Sequence, residues 1–140
     1  MDASDIEKRT SGSIFERFIS GEPVPMNDPQ CWKVRKAVER TRELSNCLNK
    51  TNSQQEIRML LSEVIGEQVY ESTVVFTPFH TNFGRHITLG KNVLINHSCS
   101  PLDLGGITVE DEVMIRPFVS ISSENHPVKV ADRKTWSPRQ

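Results

Sequence analysis

The sequence predicts a mainly β protein, a triangular β-solenoid carrying an α-helical cap at its N-terminal side. Three observations predict it. Aliphatic residues recur at intervals of six in the second half, as Val109, Ile115 and Ile121 do (115 − 109 = 6, 121 − 115 = 6). Three helical apolar stripes precede Gly66, and β-branched residues displace helix formers after it. A period of six suits neither a helix, with apolar positions at three and four, nor a strand that alternates every two. It suits a coil with three flat sides, each one short strand and a corner, so that residues about eighteen apart stack roughly 4.8 Å from coil to coil.

Taken in order, "MDASDIEKRTSGSIF" is acidic and polar with no apolar h-region, and no secretory signal is expected there. "SIFERFISGE" reads as a short amphipathic helix, with Ile14, Phe15, Phe18 and Ile19 apolar and Gly21 just past its end. "GEPVPMNDP" is a loop, since two close prolines do not fit inside a helix. Asp28 is expected to cap a second helix with Pro29 at its first position. Cys31, Val34, Val38 and Thr41 share one face of it, Leu44 and Leu48 continue the stripe obliquely, and the Lys/Arg/Glu face is solvated surface. "SQQE", Ser53 to Glu56, has capping-box spacing; Ile57, Leu60, Leu61, Val64 and Ile65 follow as a stripe ending at Gly66. Residues 1–66 thus read as a helical cap and 67–140 as part of a β-helix.

The prism is expected from about Val74. Its hexads are "FGRHIT" from Phe83, "LGKNVL" from Leu89, "INHSCS" from Ile95, "VEDEVM" from Val109, "IRPFVS" from Ile115 and "ISSENH" from Ile121. The first residue of each is expected to point inward, as is the fifth: Ile87, Val93, Cys99, Val113 and Val119. Ile95 to Val109 is fourteen (109 − 95 = 14), two hexads plus two residues. Gly105-Gly106 lies at that break, where a bulge or outward loop needs a permissive backbone.

Charge is nearly balanced, with 17 Lys+Arg against 18 Asp+Glu, which leaves no electrostatic footprint for nucleic acid and no basic run for a membrane surface. No apolar stretch approaches the ~18 residues of a membrane span. The three cysteines, Cys31, Cys47 and Cys99, are an odd number without CxxC spacing. They read as thiols in a reducing, cytoplasmic setting.

"ITLGKNVLIN", "ITVEDEVMIRPFVSISSENHPV" and the helical region with "SGEPVPMNDP" resemble the maltose/galactoside O-acetyltransferases, which are hexapeptide-repeat acyltransferases. The resemblance runs from about Phe15 to Arg133. It implies a left-handed parallel β-helix, incomplete at the C-terminus, behind an α-helical cap. It also implies a homotrimer with sites in the clefts between prisms, acetyl-CoA as co-substrate, and a hydroxyl of a sugar or other small molecule as acceptor. His126, in "ENHPV", matches the catalytic histidine, and Asn96 matches an asparagine that contacts the acceptor. Asp103 matches an acidic position lining the acceptor pocket, Asn82 stands where relatives have Ser or Asp, and Asp28 matches an acidic residue reaching in from the cap. Relatives continue past the His-Pro loop with coils that build the CoA groove, whereas this chain stops at "DRKTWSPRQ". The cofactor-binding residues are therefore expected mostly outside it, and the tail after Pro127 is expected to be poorly ordered. The competing expectation is a non-catalytic, trimerising β-helix remnant without that groove.

Acetyl transfer to a hydroxyl needs a base, because a neutral alcohol attacks a thioester weakly, and a histidine serves near neutral pH. A polar N–H near the thioester oxygen would hold the developing negative charge. His80, His86, His97, His126 and Cys99 raise the question of zinc, which the γ-class carbonic anhydrases, also left-handed β-helices, bind between subunits through histidines. His80 and His86 are six apart (86 − 80 = 6), so they sit on different prism sides and point away from each other; no metal site is expected. His86 and His97 read as surface or trimer contacts, Trp32 as a packing group at the helix–prism junction, and Trp136 as a packing group in the tail.

Overall fold

A computed structural model describes residues 12–138, so most of the polar segment read above lies outside the described residues. Helix α1 (Ile14–Ile19) is opened by a capping box between Ser13 and Glu16 and buries Ile14, Arg17 and Phe18. Strand β1 (Val24–Pro25) follows, then α2 (Cys31–Leu48). Helix α2 begins later than the Asp28–Pro29 reading places it. The Asp28 carboxylate accepts from the Gln30 N–H (2.8 Å) and its carbonyl from the Cys31 N–H (3.0 Å), closing a turn ahead of the helix. Ser53 caps α3 (Gln54–Ile65) through the Glu56 N–H (3.3 Å). The reciprocal half of a capping box is absent there, because Glu56 accepts from the Thr51 hydroxyl instead (2.7 Å). Gly66 ends α3 at φ +78°, a left-handed C-cap that suits glycine.

Three parallel ladders make the prism: β2 (Val74–Val75), β4 (Leu94–Ile95) and β7 (Met114–Ile115) on one side; β3 (Ile87–Leu89) with β6 (Ile107–Val109) on a second; β5 (Ser100–Leu102) with β8 (Ser120–Ser122) on the third. Every pairing joins residues twenty apart, as Ile87↔Ile107 and Ser100↔Ser120 do (107 − 87 = 20, 120 − 100 = 20). The coil is thus two residues longer than three hexads. The excess recurs in each coil, once near Asn82 and again near Asp103, so the break sensed at Gly105-Gly106 is one turn of a repeating wide loop. A Cβ on Gly105 would lie 2.3 Å from the Ser123 carbonyl oxygen, so the coils approach there as only glycine allows. Two other corners turn through left-handed residues: Asn92 (φ +55°) above Glu112 (+64°), and Ser98 (+63°) above Phe118 (+59°).

Leu89, Ile95 and Val109 are buried inside, with Ile115 and Ile121 half-buried against the same interior space. Phe83 departs from the expectation. It is buried, but in a second core with Ile14, Phe18, Val24, Cys31, Val34 and Leu104, because it falls in the two-residue excess and faces the cap. The main core runs from Leu48, Ile57, Leu61 and Val64 of the helices into Val75, Phe79 and Val93 of the prism, so one core spans the turn at Gly66. Trp32 is 56% exposed and does not plug the junction. Among the described residues no helix is long and apolar enough to cross a membrane.

The tail corrects a further expectation. After β9 (Glu124–Asn125) the chain makes a short 3-10 turn (Val130–Asp132) and returns as β10 (Thr135–Pro138). Strand β10 lies antiparallel between β9 and the cap's β1, with Ser137↔Asn125 and Val24↔Trp136 in register. Trp136 sets its ring edge-on to Phe18 at 5.6 Å. Apolar packing and two ladders thus fix a segment whose four-residue strand has no readable period.

Candidate active site

His126 leaves β9 at the end of the third coil, its backbone N–H donating to the Asn125 side-chain oxygen (2.8 Å). Its ring is exposed, 6.1 Å from the Trp136 ring. Nδ1 lies 3.1 Å from the Arg133 carbonyl oxygen and 3.0 Å from that of Thr135. Carbonyl oxygens only accept, so Nδ1 carries the proton and Nε2 presents its lone pair outward. That is the tautomer a general base requires, and the returning tail is what selects it.

Behind His126 three side chains knit the wide loops of successive coils. Asp103 is fully buried. Its Oδ1 accepts from the Thr81 hydroxyl (3.0 Å), the Phe83 N–H (3.2 Å) and the Gly84 N–H (2.9 Å), and its Oδ2 from the His86 N–H (3.0 Å). The two extra residues turn these amides inward, where a buried donor must be paired. Asp103 is therefore a structural acceptor with no surface to line a pocket, contrary to the role the resemblance implied. Asn82 is half-buried. Its oxygen accepts from the Phe83 N–H (2.9 Å) and the Asp103 N–H (3.2 Å), and its amide donates to Glu124 Oε1 (2.6 Å). The other Glu124 oxygen accepts from the Leu104 N–H (2.9 Å). Burial pushes the Glu124 carboxyl above its ordinary range, against the opposing pull of those two hydrogen bonds. Sequence reading missed Glu124. Its signal was an acidic residue at the wide loop of a coil whose inward positions are otherwise mostly apolar.

Asp28 is also committed elsewhere. It is 7% exposed and bonds Arg17 Nη1 at 2.8 Å. Burial opposes its ionisation, yet the Arg17 hydrogen bond, the Gln30 amide and the Arg17 charge outweigh it and hold the carboxyl below its usual range. It ties α1 to the loop before α2, so its carboxylate faces Arg17 and not an acceptor. Asn96 stands apart from the rest. It follows β4, at the corner that begins the β5/β8 side, whereas His126 lies beyond the other end of that side. The Asn96 side-chain oxygen accepts from the His97 N–H (2.9 Å). The chain thus gathers Asn82, Asp103, Glu124 and His126 at one corner and leaves Asn96 at another.

Two other histidines are each held by a backbone carbonyl. His86 Nδ1 meets the Leu104 carbonyl oxygen (2.8 Å), and His97 Nδ1 meets that of Thr77 (2.7 Å) with its ring stacked 5.1 Å from Phe76. No group of three His, Cys, Asp or Glu among the described residues could hold a metal ion. Cys31 and Cys99 are buried and Cys47 is exposed, all unbridged.

The twenty-residue parallel coils, wide loops and helical cap define a hexapeptide-repeat protein with a left-handed β-helix. No protein-family model matches the chain. The solved maltose O-acetyltransferase of Clostridium difficile 630 superposes with a TM-score of 0.81 at 24% identity, over 92% of this chain and 69% of that one. A galactoside acetyltransferase solved in complex with coenzyme A gives a TM-score of 0.72 at 24% identity, over 91% of this chain and 64% of that one. The galactoside O-acetyltransferase of Lactococcus lactis subsp. lactis is 28% identical across 86% of this chain and 58% of its own length. The chain is thus similar to maltose and galactoside O-acetyltransferases along most of its length, and it spans a little over half the length of that Lactococcus relative.

Proposed function

We propose that the protein transfers an acetyl group from acetyl-CoA to a hydroxyl of a sugar or other small molecule, with His126 as general base. The observation that carries this is the Nδ1 of His126 held by two carbonyl oxygens, which leaves Nε2 free to accept a proton. Nε2 takes the acceptor's hydroxyl proton as its oxygen bonds to the acetyl carbon. The carbon–sulfur bond then breaks, and the imidazolium returns the proton to the leaving thiolate. A relative's complex with coenzyme A supports the donor, and the galactoside and maltose names of relatives support a sugar-like acceptor.

Asn96 serves the acceptor from a neighbouring copy, since its corner and that of His126 are separated by a prism side within one chain. A homotrimer would bring one copy's Asn96 corner against the next copy's His126. Asn82, whose amide retains a second hydrogen, borders the same pocket, and the reaction belongs in the cytoplasm, where acetyl-CoA is held. The test is acetyl-CoA-dependent acetylation of a small sugar panel by the chain and by His126→Ala. Loss of the base should lower kcat by on the order of 10²–10⁴ while the melting transition stays put. Equal turnover by both would refute the role of His126. A second reading, an assembly module without turnover, is favoured by Met114 at 73% and Phe118 at 82% exposure on the third coil. A trimer that fails to bind acetyl-CoA would establish it instead.

A further inference from the structure

We infer that Glu124 is a positioning residue for His126: its half-buried carboxylate clamps β9 to the two coils above, and β9 in turn holds the returning segment whose carbonyls fix the imidazole. This rests on the reading of His126 as the base. Glu124 sits two residues before His126, and its side chain spans three levels of the prism. One oxygen reaches Asn82 in the first wide loop (2.6 Å) and the other the Leu104 N–H in the second (2.9 Å). Its own backbone is pinned by Ser122, whose Oγ donates to the Glu124 carbonyl (2.7 Å) and accepts from its N–H (3.3 Å).

From there the path to the imidazole has two steps. Glu124 and Asn125 pair with Pro138 and Ser137 of β10. The same returning segment carries the Arg133 and Thr135 carbonyls that face His126 Nδ1. Strand β9 has only two residues, too short to hold by its ladder alone, so a side-chain anchor on it matters out of proportion to its size. A carboxylate suits the anchor because both of its oxygens accept and the two groups that meet them, an amide NH₂ and a backbone N–H, are donors. Glutamine would satisfy one and turn a donor toward the other. Alanine would satisfy neither.

The test uses the full chain labelled at the histidine nitrogens, in wild type, Glu124→Ala, Glu124→Gln and His126→Ala, and reads the His126 tautomer by nitrogen NMR in the neutral ring. Wild type should show the proton on Nδ1. Glu124→Ala should shift a large share of it to Nε2. The β9 and β10 amides should exchange about tenfold faster or more, while those of β4 and β7 keep their protection. Glu124→Gln should fall between, and it stands in as the decisive variant if the alanine protein does not fold. A tautomer and a β9–β10 protection pattern identical to wild type in the variant that folds would overturn the inference. In acetyl transfer, Glu124→Ala should lower kcat by roughly 10- to 100-fold through misplacement of the base, with the acceptor KM little changed. If His126→Ala transfers acetyl as well as wild type does, the reading of the base falls, and the clamp is still judged by the tautomer alone.

Discussion

At the cap end of the prism, the Asn49 side-chain amide pairs with both the N–H and the C=O of Phe79 (2.8 and 2.9 Å), and Gln54 does the same for Val75 (3.2 and 2.9 Å). At the other end, β6, β7 and β8 are each paired on one side only among the described residues. The same contrast runs through the interior. Phe79 and Cys99 are each 2% exposed, yet Val119, the next in their row, is half-buried (99 − 79 = 20, 119 − 99 = 20). Val75 and Ile95 are buried, and Ile115 beneath them is half-buried. Chemically similar residues at equivalent positions thus have different burial, because a solenoid residue is covered by the levels above and below it. The first coil has α2 and α3 on one face and a coil on the other. Among the described residues the third coil has a neighbour on one face only, and it is the third coil that carries His126. The covered end supplies stability, and the open end carries the proposed base.

The contrast breaks most sharply on paired truncations in one row. Phe79→Ala should destabilise by about 3–5 kcal/mol, since it empties a site closed on both faces. Val119→Ala should cost about 1 kcal/mol, because much of that side chain already meets solvent. Urea melts of the two variants provide the measurement. Similar losses would mean that the third coil is covered in solution, for example by another copy of the chain.

The edge caps should come next. Asn49→Ala leaves the Phe79 N–H and C=O without partners, and a buried orphan of this kind costs about 1–3 kcal/mol. Asn46, exposed on the same helix, is the control: Asn46→Ala should stay within about 0.5 kcal/mol of wild type. If the two variants melt alike, water caps the first coil as well as an amide does, and the cap end owes its stability to apolar packing alone.

Titration probes the contrast without removing a side chain. Asp28, in the cap, is held below the ordinary carboxylate value of ~3.9; its stabilisation is present above that value and fades as pH falls through the depressed one. Glu124, on the third coil, is shifted the other way. Between the ordinary ~4.3 and its raised value, the folded state keeps a proton that the unfolded state has lost, so stability declines as pH rises through that interval. Melts of Asp28→Asn and Glu124→Gln from about pH 3 to about pH 7 should flatten opposite limbs of the wild-type profile. Flattening of the same limb by both would show that one of the shifts has the wrong sign.

How much of this was legible follows from what repeats. Leu89, Ile95, Val109, Ile115 and Ile121 announce the prism because each occupies a flat side where inward and outward positions are forced. The wide loop was not legible, since its two extra residues carry no period and hide between hexads. That is why the hexad register puts Phe83 in the prism, and why nothing in it shows that Asp103 is buried. The Asp103 side chain answers backbone donors twenty positions and fewer upstream, and this need exists only once the coils are stacked. Resemblance marks His126 as the candidate base, but the carbonyls that choose its tautomer come from the start of a four-residue strand and the turn before it, and that strand's partners are the short β1 and β9. Pairing of that kind leaves almost no trace in a single sequence.

The smallest expected effect concerns the corners. Phe118 turns at φ +59° and is 82% exposed, so it bears the steric cost of a left-handed conformation without burying its ring. Asn92 sits at a like corner at φ +55°, where asparagine is tolerated. Phe118→Asn should therefore stabilise the isolated chain by about 1 kcal/mol, the usual penalty for a bulky residue in that region. The reverse change, Asn92→Phe, should cost a similar amount. A different outcome would be more informative. If Phe118 is covered by another copy, Phe118→Asn should weaken association, and the melting temperature, rising with chain concentration in wild type, should lose that dependence. Melts across a concentration series separate the two: a gain at every concentration marks a strained, solvent-facing corner, whereas a loss that grows with concentration marks the open end of the prism as a place where copies meet.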